Sequence, residues 1–113
     1  MHEMSITQSV LAIALDEAGR HNARRIRSIT LLIGQYSGAV PACVQEYFAI
    51  ASRGTIAEDA VLNIQTPAPR VACRTCGFEG ETKPFYALCP ACQSSDIRLL
   101  SGTEFLVESL EVE

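Results

Sequence analysis

Two Cys-x2-Cys pairs, Cys73-Arg74-Thr75-Cys76 and Cys89-Pro90-Ala91-Cys92, stand twelve residues apart and constrain this chain more than any other feature. Four thiolates gathered at tetrahedral spacing form a closed site for a divalent metal, and zinc is the ion such a donor set most commonly holds. Within each pair the two-residue gap lets the chain turn back, so that both sulfurs face one ion and nearby backbone N–H groups reach them. Gly77 follows the first pair, where the turn calls for positive φ. Gln93 occupies the matching place after the second pair and fits it less well. Pro90 fixes φ on the approach to Cys92.

Two disulfides would use the same cysteines, but they suit secreted domains, and the sequence opens on Met1 without a secretory leader. A cytoplasmic location with reduced thiols is therefore expected. Iron of the rubredoxin type has the same donors and stays open as an alternative. A segment this short cannot bury a core of its own, whereas a metal contributes on the order of 10–16 kcal/mol to folding in zinc peptides. The expected role of Zn²⁺ is structural, since four protein ligands leave no position for a substrate.

The net charge of −4 counts against a surface that tracks nucleic-acid phosphates, and no apolar run approaches the roughly 20 residues needed to span a bilayer. Neither nucleic acid nor membrane is expected as a partner. Arg20, Arg24, Arg25 and Arg27 cluster around His21. Cations at a helix end and on a solvated strand entry account for them, and His21 reads as solvated.

Ser5 and Gln8 have the spacing of a capping box, and Ile6, Val10, Ile13 and Ala14 recur at helical intervals, predicting a helix from Ser5 to Ala18 that stops at Gly19. Ile26 to Ile33 reads as a strand with Ile29, Leu31 and Ile33 on its buried face. Pro41 opens a second helix whose stripe is Val44, Tyr47, Phe48 and Ala51, closed by Gly54. Cys43, on the same face as Tyr47, is expected as a small buried hydrophobe. A strand over Ala60 to Gln65 follows. After the cysteine segment, Thr103 to Val112 returns to strand patterning, with Phe105 and Val107 on one face and Leu106, Leu110 and Val112 on the other.

A terminal strand needs a partner sheet, and the economical topology returns it to the strands of the first half. The predicted fold is α+β: a small mixed βαβαβ-type domain, with a three-stranded sheet and two helices, into which a β-rich zinc ribbon is inserted. The expected domains are 1–68 completed by the terminal strand 102–113, and 69–101 for the metal. Proline and glycine at the insert's borders are compatible with exchange of that segment between chains, and so with a homodimer.

The opening Met1-His2-Glu3-Met4-Ser5, the helix after it, the Gly54-Thr55 stretch and the later Cys-x2-Cys pairs resemble the HypA/HybF family of nickel-incorporation metallochaperones along nearly the whole chain. Family members usually have Cys-Gly in the second pair, where this chain has Cys92-Gln93. The resemblance implies that Ni²⁺ binds at the N-terminus through His2, with the Met1 amine and the Glu3 backbone nitrogen as secondary donors. Square-planar nitrogen sites suit Ni²⁺. From residue type alone, a terminal histidine is more often solvated.

The resemblance further implies delivery of nickel to the [NiFe]-hydrogenase large-subunit precursor alongside a nickel-handling GTPase, with urease and its accessory proteins as further targets. The chain has no phosphate-binding loop and no convincing acid–base or nucleophile constellation, so it is expected not to be an enzyme. A zinc-ribbon module binding protein or nucleic acid is the competing reading.

Overall fold

The computed structural model describes residues 3–113. In chain order the elements are α1 (Glu3–Arg20), β1 (Ile26–Ile33), α2 (Pro41–Ala51), β2 (Val61–Gln65), β3 (Arg70–Cys73), β4 (Glu79–Glu81), β5 (Ile97–Ser101) and β6 (Phe105–Val112). They form two three-stranded sheets, ordered β2-β1-β6 and β4-β3-β5.

β1 is the middle strand of the first sheet because it is the most continuously apolar stretch. Ile26, Ile29, Leu31 and Ile33 are all buried. It pairs in parallel with β2, Ile29 opposite Leu62 and Leu31 opposite Ile64. A parallel pair needs a crossover, and α2 supplies it. On its other side β1 pairs antiparallel with β6, the predicted return of the last strand. Val10, Leu11, Ala14 and Ala18 of α1, with Val44 and Phe48 of α2, complete the core. The fold class is thus α+β as expected, with a helix rather than a strand as its first element.

The helix borders differ from expectation. α1 begins at Glu3, and the capping box does not form: Ser5 lies inside the helix, where its carbonyl accepts the Ser9 hydroxyl at 3.1 Å. Local spacing suggested a cap, but Thr7 is buried and its hydroxyl bonds the Glu3 carbonyl at 2.6 Å, which continues the helix a turn upstream. Gly19 does not stop it either. The chain turns at Asn22, whose φ of 55° lets Ala23 N–H reach the Ala18 carbonyl at 3.0 Å. In α2, Val44 and Phe48 are buried, while Tyr47 and Ala51 are half-buried. Cys43 is likewise half-buried rather than buried, because it lies on the flank of the helix and not on its core face.

β6 departs from strict alternation for a definable reason. Thr30 pairs with Ser109 and Leu31 with Val107, so Glu108 is an extra residue, a bulge. The bulge inverts the faces beyond it. Leu110 therefore joins Phe105 and Val107 against the core instead of facing away with Leu106.

The second sheet is built around β3, with Val71 opposite Gly80 on one side and Leu99 on the other. The chain leaves it through Gly102, a buried residue with φ of 137°. There the backbone passes so near Gly34 that a side chain on Gly34 would collide with the Gly102 carbonyl. Gly34 N–H bonds Glu104 and Tyr36 N–H bonds Gly102, both at 2.7 Å. The Tyr36 ring then meets Phe85 edge-on, centroids 5.1 Å apart, and its hydroxyl accepts the Phe85 N–H. None of the helices described is long and apolar enough to cross a membrane.

Candidate metal centre

The end of β3 delivers Cys73, and each cysteine pair then closes a small backbone ring of the same design. Gly77 N–H bonds the Cys73 carbonyl at 3.1 Å and Cys73 N–H bonds the Phe78 carbonyl at 2.8 Å. Sixteen residues later, Gln93 N–H bonds the Cys89 carbonyl and Cys89 N–H bonds the Ser94 carbonyl, both at 2.8 Å. Both rings need a left-handed residue: Gly77 has φ of 80° and Gln93 of 63°. Gln93, the poorer fit by residue type, adopts the same conformation as the glycine and carries the strain of its Cβ there.

The knuckles are stitched together on their outer side. Arg74 N–H bonds the Asp96 carbonyl at 3.0 Å, and the Thr75 and Ser94 hydroxyls lie 2.8 Å apart. In consequence the four sulfurs all lie within 4.8 Å of one another. Cys73 and Cys92 are 3.7 Å apart, as are Cys76 and Cys89. A disulfide would hold its sulfurs at about 2.05 Å, so these are thiols rather than bridges. Metal–sulfur bonds of about 2.3 Å at tetrahedral angles place sulfurs about 3.8 Å apart, close to the spacing of these two pairs. The residues present fit a tetrahedral thiolate-bound ion.

Backbone donors aim at the buried sulfurs. Cys73 Sγ accepts N–H groups of Thr75 at 3.3 Å and Cys76 at 3.5 Å, and Cys89 Sγ accepts Ala91 N–H at 3.4 Å. The Cys76 N–H, followed by that of Thr75, lowers the Cys73 thiol to about 6 against the opposing effect of burial. Burial raises Cys89, but the Cys92 and Ala91 N–H groups outweigh it and the net shift is downward. The other two thiols go the opposite way. A Ser94 N–H lowers Cys92, yet burial and the three neighbouring sulfurs push it up to about 12. Cys76 is lowered by the Phe78 N–H and raised more by burial, Cys89 and Cys73. Without a cation, four negative charges cannot share this volume; a metal dication removes the conflict.

The second set of predicted site residues begins at the edge of what is described. Met1 and His2 lie outside the described residues. Glu3 stands in the first turn of α1, where its charge suits the helix dipole. Its carboxylate also reaches a second helix: Oε2 accepts the Val40 N–H at 3.3 Å. Val40 precedes α2 and has no side chain capable of capping it, so Glu3 serves that helix end. This link joins residues far apart in sequence, and no local pattern signals it. His21 is exposed as expected, with Nε2 3.2 Å from Glu17 Oε1. Tyr36 and Phe85, which tie the cysteine segment to the loop after β1, also escaped sequence reasoning; neither belongs to a recognisable motif.

Comparison with known proteins agrees with this arrangement. Residues 1–112 match the family model described as hydrogenase/urease nickel incorporation, metallochaperone, HypA. A hydrogenase maturation factor HypA of Geobacter metallireducens is 42% identical over 113 residues, covering 100% of both chains. One from Pelodictyon phaeoclathratiforme is 38% identical over 113 residues, covering 100% of this chain and 97% of its own. The solution structure of the Ni metallochaperone HypA from Helicobacter pylori superposes with a TM-score of 0.70 at 24% identity, covering 99% of this chain and 97% of that one. That likeness is one of fold. With the family model spanning the chain from its first residue through its last strand, the protein belongs to the HypA family of nickel-incorporation metallochaperones.

Proposed function

We propose that this chain carries Ni²⁺ on its N-terminal arm and delivers it to the [NiFe]-hydrogenase large-subunit precursor, with a nickel-handling GTPase supplying the nucleotide hydrolysis. The observation that carries this reading is the family match, which includes the arm itself. His2 imidazole and backbone nitrogen, the Met1 amine and the Glu3 backbone nitrogen are the donors, a compact nitrogen set suited to square-planar nickel. Support for a steady platform comes from Glu3, whose carboxylate holds the base of the arm to α2. Binding requires these groups to lose protons, so mild acid releases the cargo. Urease, through its accessory proteins, is a second target of the same chemistry.

Cys73, Cys76, Cys89 and Cys92 hold Zn²⁺ in a structural role. The ion supplies the positive charge that the thiolates need and fastens the ends of the segment. In this reading residues 1–68 and 102–113 form the nickel-binding domain and 69–101 the zinc domain. The protein acts in the cytoplasm, where its thiols stay reduced, and it is not an enzyme. Two chains that exchange their zinc segments would form a homodimer.

Nickel titration calorimetry of untagged protein tests the main claim. Wild type binds one Ni²⁺ per chain, and His2→Ala loses that binding while retaining zinc. Unchanged nickel affinity in His2→Ala would refute the arm as the site.

A further inference from the structure

β6 hydrogen-bonds β1 along one side, and among the described residues no strand pairs with its other side. An eight-residue edge left in this way is a template for another chain. Between this edge and α1 runs a groove of about 520 Å³. Its apolar lining includes Ile13, Ala18, Leu110 and Val112, and its acidic groups are Glu17 and Glu108. Ile13 is 56% exposed on the flank of a helix that buries Val10 and Ala14. Leu106 and Val112 are 42% and 41% exposed along the strand itself.

We propose that this groove docks an extended segment of a partner protein, alternating apolar with Lys or Arg residues, which adds to the first sheet as a fourth strand beside β6. Main-chain hydrogen bonds to the open edge supply affinity, and every second side chain of the segment enters the groove. Charge selects the occupant. Residues 99–113 contain no Lys or Arg, while Glu108, Glu111 and Glu113 lie on or directly after the strand. Two copies of this chain pairing edge to edge would bring those carboxylates together, and like charges across strands are destabilising. A basic segment neutralises them. Glu17 already shares its carboxylate with His21 and Arg20, whereas Glu108, the bulge residue, has no ion-pair partner among the described residues. Ile13 lies ten residues beyond Glu3, about 15 Å along α1, so the helical wall of this groove is separate from the start of that helix. The surface does not depend on what the N-terminal arm binds.

The test uses isotope-labelled full-length protein and two end-blocked octapeptides, one alternating Val with Lys and one alternating Val with Glu. The lysine peptide is expected to shift the amide resonances of residues 106–112 and of 13–21, and to bind about tenfold more tightly than the glutamate peptide. Glu108→Lys, at an exposed bulge, is expected to abolish that preference while the spectrum elsewhere stays unchanged. Shifts outside these residues, equal binding of the two peptides, or an unaltered preference in Glu108→Lys would overturn the proposal. So would β6 amides protected by self-association before any peptide is added.

Discussion

Around β1, twelve buried residues from α1, β1, α2, β2 and the turn at Ala57 make one continuous apolar core. Around β3, the buried apolar side chains are Pro69, Val71, Ala72, Cys73 and Cys89, and two of these are thiols of the cysteine cluster. Both regions carry a three-stranded sheet, but the strands of the first run 5 to 8 residues and those of the second 3 to 5. The first is held by area removed from water, at about 25 cal/mol per Å². The second has too little such area, and its four sulfurs are gathered where a shared ion would hold the two knuckles together. Pattern alone does not reveal this difference, because strands look alike in both; what separates them is the number of side chains each sheet can cover.

The sharpest break in the comparison comes from removing the metal. Cys89→Ala, or strong chelation of the wild type, should unfold residues 70–101 while the first sheet keeps its tertiary spectrum, because metal binding contributes on the order of 10 kcal/mol to such segments. The mirror experiment is Leu31→Ala, which should cost the α/β region about 2–5 kcal/mol in denaturant titration and leave metal content unchanged. Loss of metal in Leu31→Ala, or global unfolding on chelation, would show that the two regions stand on common ground.

Acid should sharpen the contrast next. The metal-loaded cluster has shed its thiol protons, so lower pH favours the metal-free form. At pH 7.5 the Cys73 thiol, lowered to about 6, is already ionised, whereas Cys92, pushed up to about 12, and Cys76, also raised, keep their protons until the ion displaces them. Cys89 is shifted downward and yields its proton more readily. Loading should therefore release about two to three protons per ion rather than four, and affinity should fall roughly 100- to 1,000-fold per pH unit. Buffer-dependent calorimetry counts the protons; four released at pH 7.5 would contradict the cluster's asymmetry.

The smallest effect is expected at the second knuckle. Gln93→Gly removes a Cβ from a left-handed position and should stabilise the loaded segment by about 1 kcal/mol, read as slower metal loss to a competing chelator. An unchanged rate would mean that the surrounding hydrogen bonds already absorb the strain.

Much of this architecture was legible because it is written locally. The four cysteines announce their own cluster, Ile29, Leu31 and Ile33 mark the buried face of β1, and Pro41 opens α2 where expected. What could not be read depends on distant residues. The helix begins at Glu3 because Thr7 and the α2 end reward an earlier start, so Ser5 is no cap. Leu110 turns inward because a single bulge at Glu108 shifts the register after it, which alternation counting cannot foresee. Of the candidate sites, the sulfur cluster was legible down to its members, since four like residues at fixed spacing admit few arrangements. The Glu3 bridge to Val40 and the Tyr36 contact with Phe85 were invisible, each joining segments tens of residues apart.

Each knuckle closes through its own pair of main-chain bonds, Gly77 to Cys73 in one and Gln93 to Cys89 in the other. From the peptide that joins them the first half takes only Gly77 and Phe78, and the second takes nothing. The intervening stretch is answerable to β4 and to Tyr36, not to the ion, and lengthening it by a few residues would add only a slowly growing closure entropy. Past Phe78, then, the length of that joining peptide is a free variable for the ion, and only the sheet and the Tyr36 loop hold it to account.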